Sequence, residues 1–248
     1  MLNYIRAELY RNFHRMYFWV FTGALAGFSL FITVVSKLNN ASGMNMTAML
    51  ELTIALLAFP IFFAIPMIDI STSEENKNQT LRNVISFGMP RNVIVIAKVI
   101  VATLLCLVSA VIVLATLYGS AAVLFGVGPD FALKAPDYIS RILSALPLWI
   151  GAIAVGTFMT IVINNNNLFV FVYAGTFLMM PRIISLLSWL IWDKLSNIKS
   201  ILITTGIDKL AAPVVTSQDK LNAVVMGIAY IIVFSVLSMI YFNKKEVK

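Results

Sequence analysis

Few side chains in this chain of 248 residues are equipped for chemistry. The one histidine, His14, stands between Arg11 and Arg15 just ahead of an apolar run. No acid–base or metal partner is in view, so it is expected to be an interfacial residue. The one cysteine, Cys106, excludes an intramolecular disulfide and any multi-cysteine metal site. It lies within VIVIAKVIVATLLCLVSAVIVLATLYG and is expected to be a small apolar core residue. No G-x-x-x-x-G-K-[ST] loop occurs, so the chain is not expected to bind ATP in the Walker manner. GVGPDFALK carries glycine but has neither that spacing nor a flanking strand. No serine–histidine–acid set is visible. Two charged features remain: the polar island STSEENKNQTLRNVISFGMPR, residues 71–91, and Arg182, alone in an apolar stretch. Groups of this kind recognise partners and carry force.

The elements that hold these groups follow from composition. The chain is 60% hydrophobic and 12% charged, with mean hydropathy +0.92. A soluble domain carries roughly a quarter of its residues as charges. Lipid is therefore the expected solvent for most of the surface. Crossing a hydrocarbon core of ~30 Å takes about 20 apolar residues of helix at ~1.5 Å each. Lipid offers the backbone no partner, so each span must be helical, and the runs lack the alternation of a barrel strand. Six spans are predicted, at 17–36, 52–70, 93–126, 143–163, 168–191 and 222–242. The first is too long for a signal-peptide core and is read as a retained anchor. Six spans place both termini on one side. With the N-terminus cytoplasmic, that side holds ten basic residues against seven opposite, and YRNFHR and NKKEVK flank the first and last spans. Both termini are therefore expected in the cytoplasm. The net charge of +7 then serves anionic membrane lipids and implies no nucleic-acid partner.

Residues 1–16 read as an amphipathic interfacial helix, with Leu2, Ile5, Leu9, Phe13 and Met16 on one stripe and Arg6, Glu8, Arg11, Asn12 and Arg15 filling the rest. Either a plain anchor or a strut touching a cytoplasmic partner fits that pattern. Lys98, early in the long third span, is expected to snorkel back to water. NNNN, residues 164–167, makes spans four and five an antiparallel hairpin. Residues 192–221 are read as a long extracellular loop, and Pro181 leaves open whether 183–192 ends the fifth span or re-enters the membrane. Gly23 and Gly27 form G-x-x-x-G, and Gly151, Ala152, Ala154 and Gly156 line the fourth span. For both, helix packing within one subunit is expected ahead of a subunit interface. Arg182 reads either as an arginine near the outer end of its span or as a cavity-lining contact for an anionic or amphipathic substrate. The other spans are almost free of deep charge, which disfavours an ion-coupled transporter.

The island itself is predicted to be a helical elbow. Ser71 and Thr72 stand three residues before Glu74 and Glu75, at capping-box spacing. TLRNVISF presents Leu81, Val84, Ile85 and Phe87 on an apolar side. Gly88 is suited to end that helix, and Pro90 to start the next. The elbow is either inert packaging at the headgroup layer or a contact surface that receives force from a soluble partner.

The combination Glu75, Thr80-Leu81-Arg82-Asn83, Ser86-Phe87-Gly88, Arg91 and Lys98 resembles the cytoplasmic segment of ABC-2-type transporter permeases, whose pattern runs roughly E-x-x-x-G-T-L-x-N-x-x-S-x-G-x-x-R. NYIRAELYR resembles the N-terminal connecting helix of the same family. Gln79 departs from it, where glycine is frequent. The resemblance spans the whole chain in length, span count and placement of the long outer loop. It implies one all-α polytopic membrane domain, 1–248, in a bacterial plasma membrane, with six transmembrane helices and a cytoplasmic coupling helix between spans 2 and 3. Glu74, Glu75, Thr80, Leu81, Arg82, Asn83, Gly88 and Arg91 would contact an ATPase subunit. Part of 181–215 would form short outer helices that partly enter the membrane. Two ATPase subunits would carry ATP and Mg, and a second permease, identical or homologous, would complete the assembly. Low polarity within the spans suits an amphipathic or lipid-like cargo, and small permeases of this family often export antimicrobial peptides. A membrane scaffold or sensor subunit that moves nothing is the alternative.

Overall fold

The computed structural model describes residues 1–39, 43–73, 88–163, 165–191 and 196–245. The chain forms α1 (Leu2–Phe13), α2 (Met16–Leu38), α3 (Met46–Ala55) and α4 (Phe59–Ile68), the last running into a π-helical turn at Asp69–Ser73. There follow α5 (Arg91–Phe125), α6 (Phe131–Val162), α7 (Asn166–Leu190), α8 (Ser196–Lys199), α9 (Ile203–Ala211) and α10 (Ser217–Lys244). No strand occurs among the described residues. Five of these helices, α2, α5, α6, α7 and α10, are long and apolar enough to cross a membrane, and α3 with α4 makes a sixth if the bent pair is one span. The chain is thus an all-α protein of membrane type.

Side-chain caps fix several helix starts. Asn45 accepts from the Ala48 N–H, Asn165 from those of Asn167 and Leu168, and Thr216 with Asp219 forms a capping box. Between α5 and α6 the chain reverses through Gly126 and Gly128, both at φ above +80°. A Cβ on Gly128 would also stand 2.8 Å from Asn45 Cγ, so glycine is required there twice over.

Polar pairs set the direction of the helices. Thr22 donates to Ser109 (3.2 Å), and Thr33 meets Ser120 (2.9 Å). Both pairs are 87 residues apart, so α2 and α5 run parallel in constant register. At the near end, Lys98 of α5 meets Glu8 of α1, and Arg91 reaches Phe242 at the close of α10. The Met46 N–H at the far end donates to Gly126 O (3.1 Å), and Lys134 pairs with Glu51. The bent α3–α4 pair therefore carries the chain from far end to near end, and α1 and the last turn of α10 lie at the near end.

The core centres on α6, which is buried at every position from Gly151 to Thr157. α10 packs closest against it. A Cβ at Gly227 would fall 2.4 Å from Pro147 C, and one at Gly151 would fall 2.9 Å from Tyr230 Cβ. Gly156 admits Ile68 and Tyr173 in the same way. Small residues on α6 thus pack helices within the chain, as expected. Arg141 knits the far end: Nε donates to Asp137 (2.7 Å), Nη1 to the Leu210 and Ala212 carbonyls, and Nη2 to Pro213 O. This closes the C-terminus of α9, whose Ile203, Ile207 and Leu210 enter the core.

Several boundaries depart from the sequence reading. The span expected at 52–70 begins at Met46 and breaks at Leu56–Ala58, with a bend of 73°. Pro60 has no N–H to offer the Leu56 carbonyl, so the regular ladder fails there. α6 starts at Phe131 instead of 143 and contains Pro136 and Pro147. α7 continues through Pro181 to Leu190, so 183–190 is the end of that helix and not a separate one. The long outer segment is largely structured where described, as α8, α9 and the start of α10.

Candidate functional site

The island falls mainly outside the described residues, and with it Glu74, Glu75, Thr80, Leu81, Arg82 and Asn83. Its two flanks are described. On the upstream side Ser71 and Thr72 are buried in the π-helical turn, and the Ser71 hydroxyl donates to Ile68 O (3.0 Å). The capping partners expected of Ser71 and Thr72, Glu74 and Glu75, lie outside the described residues. On the downstream side Gly88 has φ +86°, the left-handed conformation expected of it. Pro90, expected to start the helix, is instead the extended N-cap of α5, which begins one position later at Arg91; its carbonyl accepts from Val93 and Ile94 N–H.

Arg91, expected to face a partner, is committed within the chain. Its Nη1 donates to the carbonyls of Phe242 (2.8 Å), Asn243 (3.1 Å) and Lys245 (2.8 Å), and the guanidinium lies over the Phe242 ring. Those carbonyls close α10, whose last turn has no helical N–H to meet them. Asn243 donates to Asn92 (2.8 Å) beside it, and Lys245 Nζ donates to Ile161 O (2.6 Å) at the end of α6. Partial burial holds the Lys245 ammonium below the ordinary lysine pKa. The first turn of α5 is thus tied to the last turns of α10 and α6. Replacing Arg91 with alanine is expected to weaken this tie by about 1–3 kcal/mol, the cost of leaving half-buried carbonyls unmet. Hydrogen exchange at 240–245 should rise while exchange in mid-α10 stays unchanged.

Lys98 lies two helical turns further along α5 and is also corrected. It does not snorkel to water: the residue is 2% exposed, and its Nζ stands 2.8 Å from Glu8 Oε2. Arg11 Nη2 reaches the same oxygen at 2.7 Å. Glu8 is 4% exposed and Asn12 0%. The face of α1 turned to the protein therefore runs Ile5, Glu8, Asn12, and the predicted polar residues Glu8 and Asn12 are its buried ones. Leu2 and Tyr10 are exposed instead. Arg15 extends the contact, donating to Ile70 O in the π-helical turn. α1, the π-helical turn and α5 thus meet around a buried charged cluster that borders both ends of the island. An ionisable residue inside an apolar run is a cue for a partner, and on that rule Lys98 was the available signal.

The other expected site residues lie elsewhere. Arg182 is exposed on α7. Gly23 and Gly27 are exposed on α2, with nothing within 4 Å of a Cβ built at either. They do not pack within the chain, because α2 turns Phe18, Thr22, Ser29 and Thr33 inward. His14 caps α1 and its Nδ1 meets Tyr10 O (2.8 Å). Cys106 is half-buried between two core clusters. Among the described residues no group of three or more His, Cys, Asp or Glu could hold a metal. The near end offers a mechanical junction of helices bound by charge. No protein-family model matches this chain, and neither does any curated protein.

Proposed function

We propose that this chain is the membrane subunit of an ABC exporter: a permease of ABC-2 type, driven through the 71–91 elbow by separate ATPase subunits that bind ATP and Mg. The resemblance in the elbow and the opening helix supports the reading. The observation that carries it is the junction at the root of α5. Arg91 holds the end of α10, and Lys98 holds α1. A push on the elbow therefore reaches three elements together. α5 has 35 residues, about 52 Å at ~1.5 Å each, and runs the length of the bundle. It suits a lever better than a loose loop would.

In this reading both termini and the elbow face the ATPases, six passages cross the plasma membrane, and a second permease lies alongside. Closure of the ATPases on ATP tilts α5 with α1 and α10. The path opens between permeases to an amphipathic or lipid-like cargo, an antimicrobial peptide among them. Arg182, exposed on α7, would meet an anionic group of that cargo. Affinity purification of the tagged chain from its native membrane tests the reading. An ATPase subunit is expected to copurify, and charge reversal at Glu75 or Arg82 should reduce its recovery severalfold. Recovery of the chain without any nucleotide-binding protein, under conditions that preserve membrane complexes, would favour the scaffold alternative.

A further inference from the structure

The break between α3 and α4 lies at an unusual place. α3 has 10 residues, about 15 Å of rise, and starts at the far end beside Gly126. α4, also 10 residues, covers a similar length to the near end. The Leu57 carbonyl at the break lies level with Trp149, about midway along the 32-residue α6, and so near mid-depth of the bundle. Its backbone is irregular. The Leu57 N–H donates to Ile54 O instead of Thr53 O, and the Phe59 N–H to Leu56 O instead of Ala55 O. The regular donors to the Thr53 and Ala55 carbonyls are therefore spent elsewhere. The inner side of the break is held, since Trp149 Nε1 donates to Leu57 O (3.1 Å). The outer side is open: Ala55 is exposed, Leu56 is 38% exposed and Phe59 49%.

Non-helical backbone at membrane depth does not face lipid, because each unmet carbonyl costs several kcal/mol there. It faces protein or a water-filled cavity. Polar groups lie between the far end and the break. Glu51 and Lys134 form an exposed pair at the far end. Below them the Tyr118 hydroxyl bonds both Thr53 Oγ1 and the Tyr138 hydroxyl. Broken helices that point carbonyl ends into a membrane protein line hydrated paths. We propose that the outer face of the α3–α4 break borders water, in a recess that opens at the far end past Glu51 and reaches mid-membrane at Leu56. This inference needs only the membrane character of the chain, so it stands or falls separately from the ATPase reading.

Thiol labelling of the full chain in membrane vesicles tests it. Cys106 is replaced by alanine, and single cysteines are placed at Leu56, Phe59, Val111 and Ile232. The last two are 67% and 58% exposed on α5 and α10 and serve as lipid-facing references. A charged, membrane-impermeant methanethiosulfonate reacts with thiolate, which requires water. The L56C and F59C chains are expected to react at least roughly tenfold faster than V111C and I232C. They should do so when the reagent is on the far-end side and not when it is on the near-end side. Rates at 56 and 59 no higher than at the references would overturn the proposal. So would protection at 56 together with L56C–L56C cross-linking, which would mean that a second copy seals the face dry. Two positions are used so that one poorly folding variant, recognised by its gel-filtration profile, leaves the other to decide.

Discussion

Replacing Lys98 with methionine is expected to cost the fold about 3–5 kcal/mol, the range seen when one partner of a buried ion pair is removed. The ammonium and the Glu8 carboxylate are 3% and 5% exposed as side chains and 2.8 Å apart. Without Lys98 the carboxylate stays buried, with Arg11 still at 2.7 Å but itself one-third exposed. Replacing Glu8 with leucine alone should do comparable harm, because it removes the carboxylate 2.8 Å from a buried ammonium. The double substitution, Lys98→Met with Glu8→Leu, should recover a large part of either loss, because two well-packed apolar side chains often equal a buried pair. A double-mutant cycle on unfolding in mixed micelles measures this, and a coupling of at least ~3 kcal/mol is expected, at or beyond the top of the usual range for residues in contact. Additive single effects would mean that the two charges do not hold α1 to α5. The helix would then be a plain interfacial anchor. Under the permease reading the cycle has a second readout. Loss of the tie should separate ATP hydrolysis from cargo movement without weakening recovery of the ATPase, since the elbow residues are untouched.

What the sequence made legible follows from what lipid imposes. An apolar run of sufficient length must be helical in a bilayer, so the five long helices could be read directly, with ends within about five residues except for the start of α6. Gly88 and Pro90 marked the root of α5 for stereochemical reasons that hold in any context. Direction and pairing were another matter. Hydropathy averages over all faces of a helix. It cannot tell that Pro60 interrupts a span whose neighbours Phe59, Ile61 and Phe62 are as apolar as any. Glu8 and Lys98 are 90 residues apart, and each alone reads as an interfacial charge that water can satisfy. Their meeting depends on how α1 docks, which composition does not encode. Arg91 shows the same limit from the other side. The helix end that takes its hydrogen bonds lies 151 residues further on, so this internal tie could not be read from the elbow alone.

The glycines carry this lesson to a second large effect. Gly23 and Gly27 have the best-known spacing for close helix approach, yet the space beside them is empty within this chain. Gly151 and Gly227 share no motif, yet they let α6 and α10 touch along their backbones. A methyl group at Gly227 would lie 2.4 Å from Pro147 C and 2.6 Å from Leu148 N. These are main-chain atoms of a buried helix and cannot swing aside as a side chain does. Gly227→Ala is therefore expected to destabilise by about 3 kcal/mol or more, at or beyond the usual top of the overpacking range. Gly151→Ala should cost less, roughly 1–3 kcal/mol, since its close neighbours are Tyr230 Cβ and the Gly227 carbonyl oxygen. Gly23→Ala and Gly27→Ala should stay within about 0.5 kcal/mol of the parent. Thermal unfolding of the four purified variants in one detergent ranks them. If Gly23→Ala or Gly27→Ala proves as damaging as Gly227→Ala, α2 must pack differently against the rest of the chain. Retained stability in a Gly27→Leu chain that loses self-association would instead assign the α2 stripe to contact between copies. Small residues left facing outward in a membrane protein permit that contact, and the fold of one chain does not use them.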